Sequence, residues 1–127
     1  MNILVFTTDH ELALLRQHIL QAAGHQVSVF ITEKEAVEAA EKQVPFDVAI
    51  ICHHLPAAAG RKIMRIFRDD KRPGKVVYIS HIYGEWPEVE ADRYIVGADG
   101  ADALIRVVAE SGPQSEVSPT TARKSAS

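Results

Sequence analysis

The side chains with the most chemical potential in this chain are a single cysteine and a set of histidines. Cys52 is followed at once by His53 and His54, while His10 and His81 follow other apolar runs. Imidazole nitrogen and thiolate sulfur are the ligands that zinc and copper favour, and a thiol beside imidazole is a candidate nucleophile or sensor. The pattern offers a metal site or a sensing thiol if the fold gathers these residues. No C-x-x-C or H-x-x-x-H spacing is present to build such a site locally. The plainer expectation is polar loop histidines beside a cysteine that packs as a small hydrophobe. No resident metal or cofactor is expected.

A second pattern is electrostatic. Arg61, Arg65, Arg68 and Arg72 are spaced four, three and four apart and so share one helical face. Residues 61–75 hold seven of the fourteen basic residues, and only two acids, Asp69 and Asp70. Acids gather elsewhere, at Glu33, Glu35, Glu38 and Glu41 and again at Glu85, Glu88, Glu90 and Asp92. The basic run is either a solvated helix face or a dock for an acidic partner, including the acidic face of a second copy. Motifs for enzymatic chemistry are absent: there is no P-loop, no G-x-G-x-x-G and no G-x-S-x-G elbow. Ser80 and His81 are adjacent, but a nucleophile and its base need geometry rather than adjacency. TTDHE, after the first apolar run, lacks the glycine of a phosphate-cradling loop. The chain is therefore expected not to be an enzyme.

The elements that must position these groups alternate. Ile3–Phe6 reads as a strand covered on both faces. Asp9 is placed to cap a helix whose apolar stripe is Leu12, Leu15, Ile19 and Ala22, ended by Gly24. Val27, Val29 and Ile31 mark a second strand. Thr32 and Glu35 form a capping box for an Ala- and Glu-rich helix to about Gln43, with Pro45 beyond it. Val48–Cys52, the most apolar strand, is expected at the centre. A helix carrying Ile63, Ile66 and Phe67 follows, then a Pro73-Gly74 turn and a strand over Val76–Ile79. A last strand spans Tyr94–Val96, and a last helix spans Ala101–Glu110 with Leu104, Ile105, Val107 and Val108 inward. Strands and helices alternating over short connections predict a parallel sheet with helices on both faces.

The 127 residues amount to one domain, long enough to bury a core without disulfides. Hydrophobic residues make up 46% and the net charge is −3, an ordinary globular balance that argues against nucleic-acid binding. No apolar run nears the roughly 18 residues of a membrane span, so no membrane association is expected. One cysteine suits a reducing, cytoplasmic setting. The segment 111–127 has one large apolar residue, Val117, and is expected to be a disordered tail to a domain over 1–110.

The register of ILVFTTDHELALLRQHILQAAGHQV, with FDVAIICHHLP, KVVYIS and the GADG punctuation before the last helix, resembles a response-regulator receiver domain over residues 1 to about 110. The resemblance implies a CheY-like, flavodoxin-like (βα)5 three-layer sandwich of sheet order 2-1-3-4-5. Such a domain carries an acidic pair after the first strand, a phosphoacceptor aspartate ending the third and a lysine after the fifth. By resemblance these positions fall on Thr7 and Thr8, on Cys52 and on Gly97. The switch hydroxyl and switch aromatic fall on Ser80 and Tyr94. Magnesium wants hard oxygen ligands, and phosphoryl transfer needs its developing charge neutralised, so a pseudo-receiver that takes no phosphoryl group is expected. HIYGEWPEVEADR, holding Gly84 and Pro87, leaves room for only a shortened fourth helix, with Trp86 covering adjacent core. The expected function is phosphorylation-independent signalling through protein contacts, with a separate partner or a second copy. The alternative is a thiol or metal sensor at Cys52, His53, His54 and His81.

Overall fold

The computed structural model describes residues 1–71, 73–80 and 91–112. Five strands, β1 (Asn2–Phe6), β2 (Gln26–Phe30), β3 (Val48–Cys52), β4 (Lys75–Ser80) and β5 (Arg93–Val96), form one parallel sheet of order β2-β1-β3-β4-β5. In register, Ile3 lies beside Val27 and Val48, Ile51 beside Tyr78, and Ser80 beside Val96. Every residue of β3 is buried, as its unbroken apolar run demands of a central strand.

Period-two alternation divides the strand side chains between two cores. Ile3, Val5, Val48, Ile50, Val77 and Ile79 face helices α1 (His10–Ala22) and α4 (Gly100–Ser111), packing on Leu20, Leu104, Val107 and Val108. Leu4, Phe6, Ala49, Ile51, Val76 and Tyr78 face α2 (Glu33–Glu41) and α3 (Ala57–Asp69), packing on Ala36, Ala40, Ile63 and Phe67. The result is the expected three-layer, flavodoxin-like sandwich. The expected shortened helix between β4 and β5 falls on residues 81–90. Those residues, with Trp86, lie outside the described residues, as do residues 113–127 of the tail expected over 111–127; Ser111, placed in that tail by the sequence, instead ends α4 and is buried.

Local chemistry sets the helix ends. Asp9 Oδ1 accepts from the Leu12 N–H at 3.0 Å and caps α1. At the other end Gly24, at φ +98°, donates to Gln21 O while His25 N–H donates to Leu20 O, a Schellman closure that needs the left-handed residue. Thr32 Oγ1 accepts from Glu35 N–H at 3.0 Å, and the Glu35 carboxylate reaches back to the Ile31 N–H at 3.3 Å. That is one residue beyond the reciprocal bond of a standard capping box. Gly74 stays bare because a Cβ there would collide with the Phe46 ring.

The stripe on α1 needs correction. Its buried residues are Ala13, Arg16 and Leu20, not the expected set. Leu15 is 53% exposed, Ala22 is exposed, and Leu12 and Ile19 are half-buried. The helix is turned by about one residue, so that small Ala13 meets the sheet. Its larger side chains flank a groove shared with α4. Among the described residues no helix is long and apolar enough to cross a membrane.

Candidate functional site

The ends of β1, β3, β4 and β5 bring Thr7, Cys52, Ser80 and Gly97 to one edge of the sheet. Thr7 and Cys52 are fully buried there, and Ser80 is nearly so. Both threonine hydroxyls are engaged. Thr7 Oγ1 accepts from the Asp9 N–H at 3.2 Å, and Thr8 Oγ1 donates to the His54 carbonyl. Asp47, by contrast, lies at the opposite edge, where its carboxylate accepts from the Asn2 N–H at 2.8 Å.

The central feature is one the sequence reading missed. Arg16, on α1, is 7% exposed, and its Nη1 donates to Cys52 Sγ at 3.0 Å. Its Nη2 would lie 3.9 Å from a Cβ placed on Gly97. The guanidinium therefore sits between the ends of β3 and β5. The available signal was a pair of departures: no lysine after β5, and an arginine on the helix packed against that same face.

Asp9 is the nearest carboxylate to this edge in sequence, and it is already committed to the α1 cap. Hydrogen bonding from the Leu12 N–H, the largest cause, holds its carboxyl below the ordinary value against the opposing effect of burial, with His54 and Arg16 adding to the lowering. The magnesium that the fold family implies does not fit this set. Two engaged hydroxyls, a thiol and a buried guanidinium replace the hard, negative oxygens that such an ion requires.

Beside the guanidinium, Cys52, His53 and His54 do converge. Each offers a ligand atom, and these atoms all lie within 4.8 Å of one another. Cys52 Sγ is 3.7 Å from His53 Nδ1, and the two imidazole rings are 4.0 Å apart. His54 Nε2 is also 3.8 Å from Asp9 Oδ2. His10, exposed at the start of α1, does not join the cluster. His81 lies outside the described residues.

Tyr94, 38% exposed, stands on β5 with its ring tilted against Tyr78 at 6.3 Å, and its hydroxyl accepts from the Ala91 N–H at 2.8 Å. This is a strand aromatic with a packed ring and a wet tip. Arg61, Arg65 and Arg68 are exposed along α3. Arg72, the fourth member of that row, lies outside the described residues. A second surface feature was not anticipated: Leu12, Leu15, Ile19, Ile95, Ala101 and Leu104 line a groove of about 120 Å³ between α1 and α4, with Arg16 at its floor.

No protein-family model matches the chain, and no curated protein matches it. Solved structures do. The receiver domain of a Francisella response regulator is 22% identical, with a TM-score of 0.71 over 85% of this chain and 93% of that one. A Clostridium thermocellum response-regulator receiver domain is 17% identical, with a TM-score of 0.74 over 91% and 97%. The Vibrio cholerae chemotaxis protein CheY4 is 20% identical, with a TM-score of 0.72 over 87% and 97%. The strand order and the two-sided helical cover agree with these structures: the chain has the fold of the response-regulator receiver (CheY-like) domains.

Proposed function

We propose that this receiver-fold domain acts without aspartyl phosphorylation, as a protein-interaction module in cytoplasmic signalling. The observation that carries the reading is Arg16, whose guanidinium lies 3.0 Å from the Cys52 sulfur at the end of β3. Phosphoryl transfer to a carboxylate needs an acceptor oxygen, a divalent ion to offset the charge, and a cation that is free to meet the product. Here the acceptor position holds a thiol, the metal-binding positions hold engaged hydroxyls, and the local cation is already bonded to the thiol.

Support for protein contact comes from the surface. The exposed arginines of α3 form a positive strip on a chain of net charge −3, which suits an acidic protein surface on a partner or on a second copy. The test has two arms. Incubation with acetyl phosphate and magnesium, read by intact mass, is expected to leave the chain unmodified; a stable phosphoryl adduct on an aspartate overturns the reading. Partner capture or self-association is expected to fall at least tenfold in the Arg61→Glu, Arg65→Glu double variant; unchanged binding removes the assigned face.

A further inference from the structure

We propose that Cys52, His53 and His54 form a binding site for a zinc-class metal ion, with Asp9 holding the His54 ring. The proposal is independent of the interaction reading and rests on convergence. Zinc bonds of about 2.0–2.3 Å to nitrogen and sulfur place neighbouring ligand atoms roughly 3.3–3.8 Å apart in a tetrahedron. The Cys52 Sγ to His53 Nδ1 separation of 3.7 Å already has that value. The full set closes within 4.8 Å, and His54 can supply the remaining movement because its side chain is 36% exposed.

The donor set selects the ion. One sulfur and two imidazoles suit a borderline-soft cation and discriminate against magnesium or calcium. Asp9 Oδ2, 3.8 Å from His54 Nε2, is the carboxylate within reach to orient that ring, as outer carboxylates do for ligating histidines. Three protein ligands leave one position open to water or to a side chain from another molecule. Binding takes Cys52 as thiolate and releases its proton to solvent. The Arg16 N–H then bonds a metal-bound sulfur instead of a thiol.

The experiment uses the full chain, stripped of metal, with zinc content measured after dialysis and cobalt(II) as the coloured stand-in. One ion per chain and a thiolate-to-cobalt charge-transfer band are expected. Cys52→Ser should abolish the band. His53→Asn and His54→Asn, at half-buried or more exposed positions, should each weaken zinc binding at least tenfold with an unchanged far-ultraviolet dichroism spectrum. Asp9→Asn keeps an α1 cap and should weaken binding while leaving the band. The proposal is overturned if no zinc is retained, if cobalt binds without the band, or if both histidine variants bind zinc as tightly as the parent chain.

Discussion

At the scale of single residues, the site edge is defined by an exchange of partners. Arg16 reaches across from a helix to bond a sulfur at the end of the central strand. A buried guanidinium donor that loses its acceptor is left with the cost of its own desolvation. Cys52→Ala should therefore destabilise the chain by about 1–3 kcal/mol, beyond what losing one small side chain suggests. Urea unfolding with an unchanged m-value would show it, and a loss within error would mean that the contact contributes nothing. The opposite substitution is more instructive. Cys52→Asp places a carboxylate at the end of β3, where it faces the Arg16 guanidinium. An ion pair forms in place of a magnesium site, so acetyl phosphate with magnesium should still leave no adduct. An adduct on the new aspartate would show that the guanidinium is not an obstacle.

At the scale of elements, strands were far more legible than helix faces. Val48–Cys52 could be read exactly because a strand buried on both faces is simply an unbroken apolar run. The caps at Asp9, Gly24 and Thr32 could be read because each is a local hydrogen-bond problem with few solutions. The face of α1 could not. Leu12, Leu15 and Ile19 satisfy helical periodicity, but periodicity does not say how closely the helix approaches the sheet or that α4 shares its face. Small Ala13 is buried on that face, and Arg16 is buried with it. For the same reason the contents of the site were half legible: the residues ending β1, β3, β4 and β5 came from the family resemblance laid on strands read from their apolar runs, whereas the residue that fills the space between them came from a helix. The two leucines separate these readings. Leu20→Ala, at a fully buried position, should cost about 2–5 kcal/mol. Leu15→Ala, at a half-exposed one, should change stability by no more than about 0.5 kcal/mol. Equal losses in thermal unfolding would restore the simple stripe.

At the scale of the whole molecule, the two edges of the sheet carry different burdens. The edge after the strands holds the thiol, the histidines and the guanidinium, above the two apolar cores. The edge before the strands is stitched by backbone and carboxylate bonds. Asp47 accepts from Asn2 N–H, Asp92 accepts from Val76 N–H at 2.7 Å, and Met1 O accepts from Gln26 N–H. His25 lies in this lower edge, its Nδ1 3.3 Å from the amino terminus of Met1. Burial first, and the terminal ammonium second, push its imidazole below the ordinary value of 6.5. The folded chain thus takes up this proton less readily than the unfolded chain does. The resulting stability is fully present above pH 6.5 and is lost as the pH falls through the depressed folded value. His25→Gln removes the titration, so the drop in melting temperature between about pH 7.5 and about pH 5.5 should be smaller in the variant than in the parent. Parallel slopes would show that protonation of His25 is not felt by the fold, and that this edge is held by its backbone and carboxylate bonds alone.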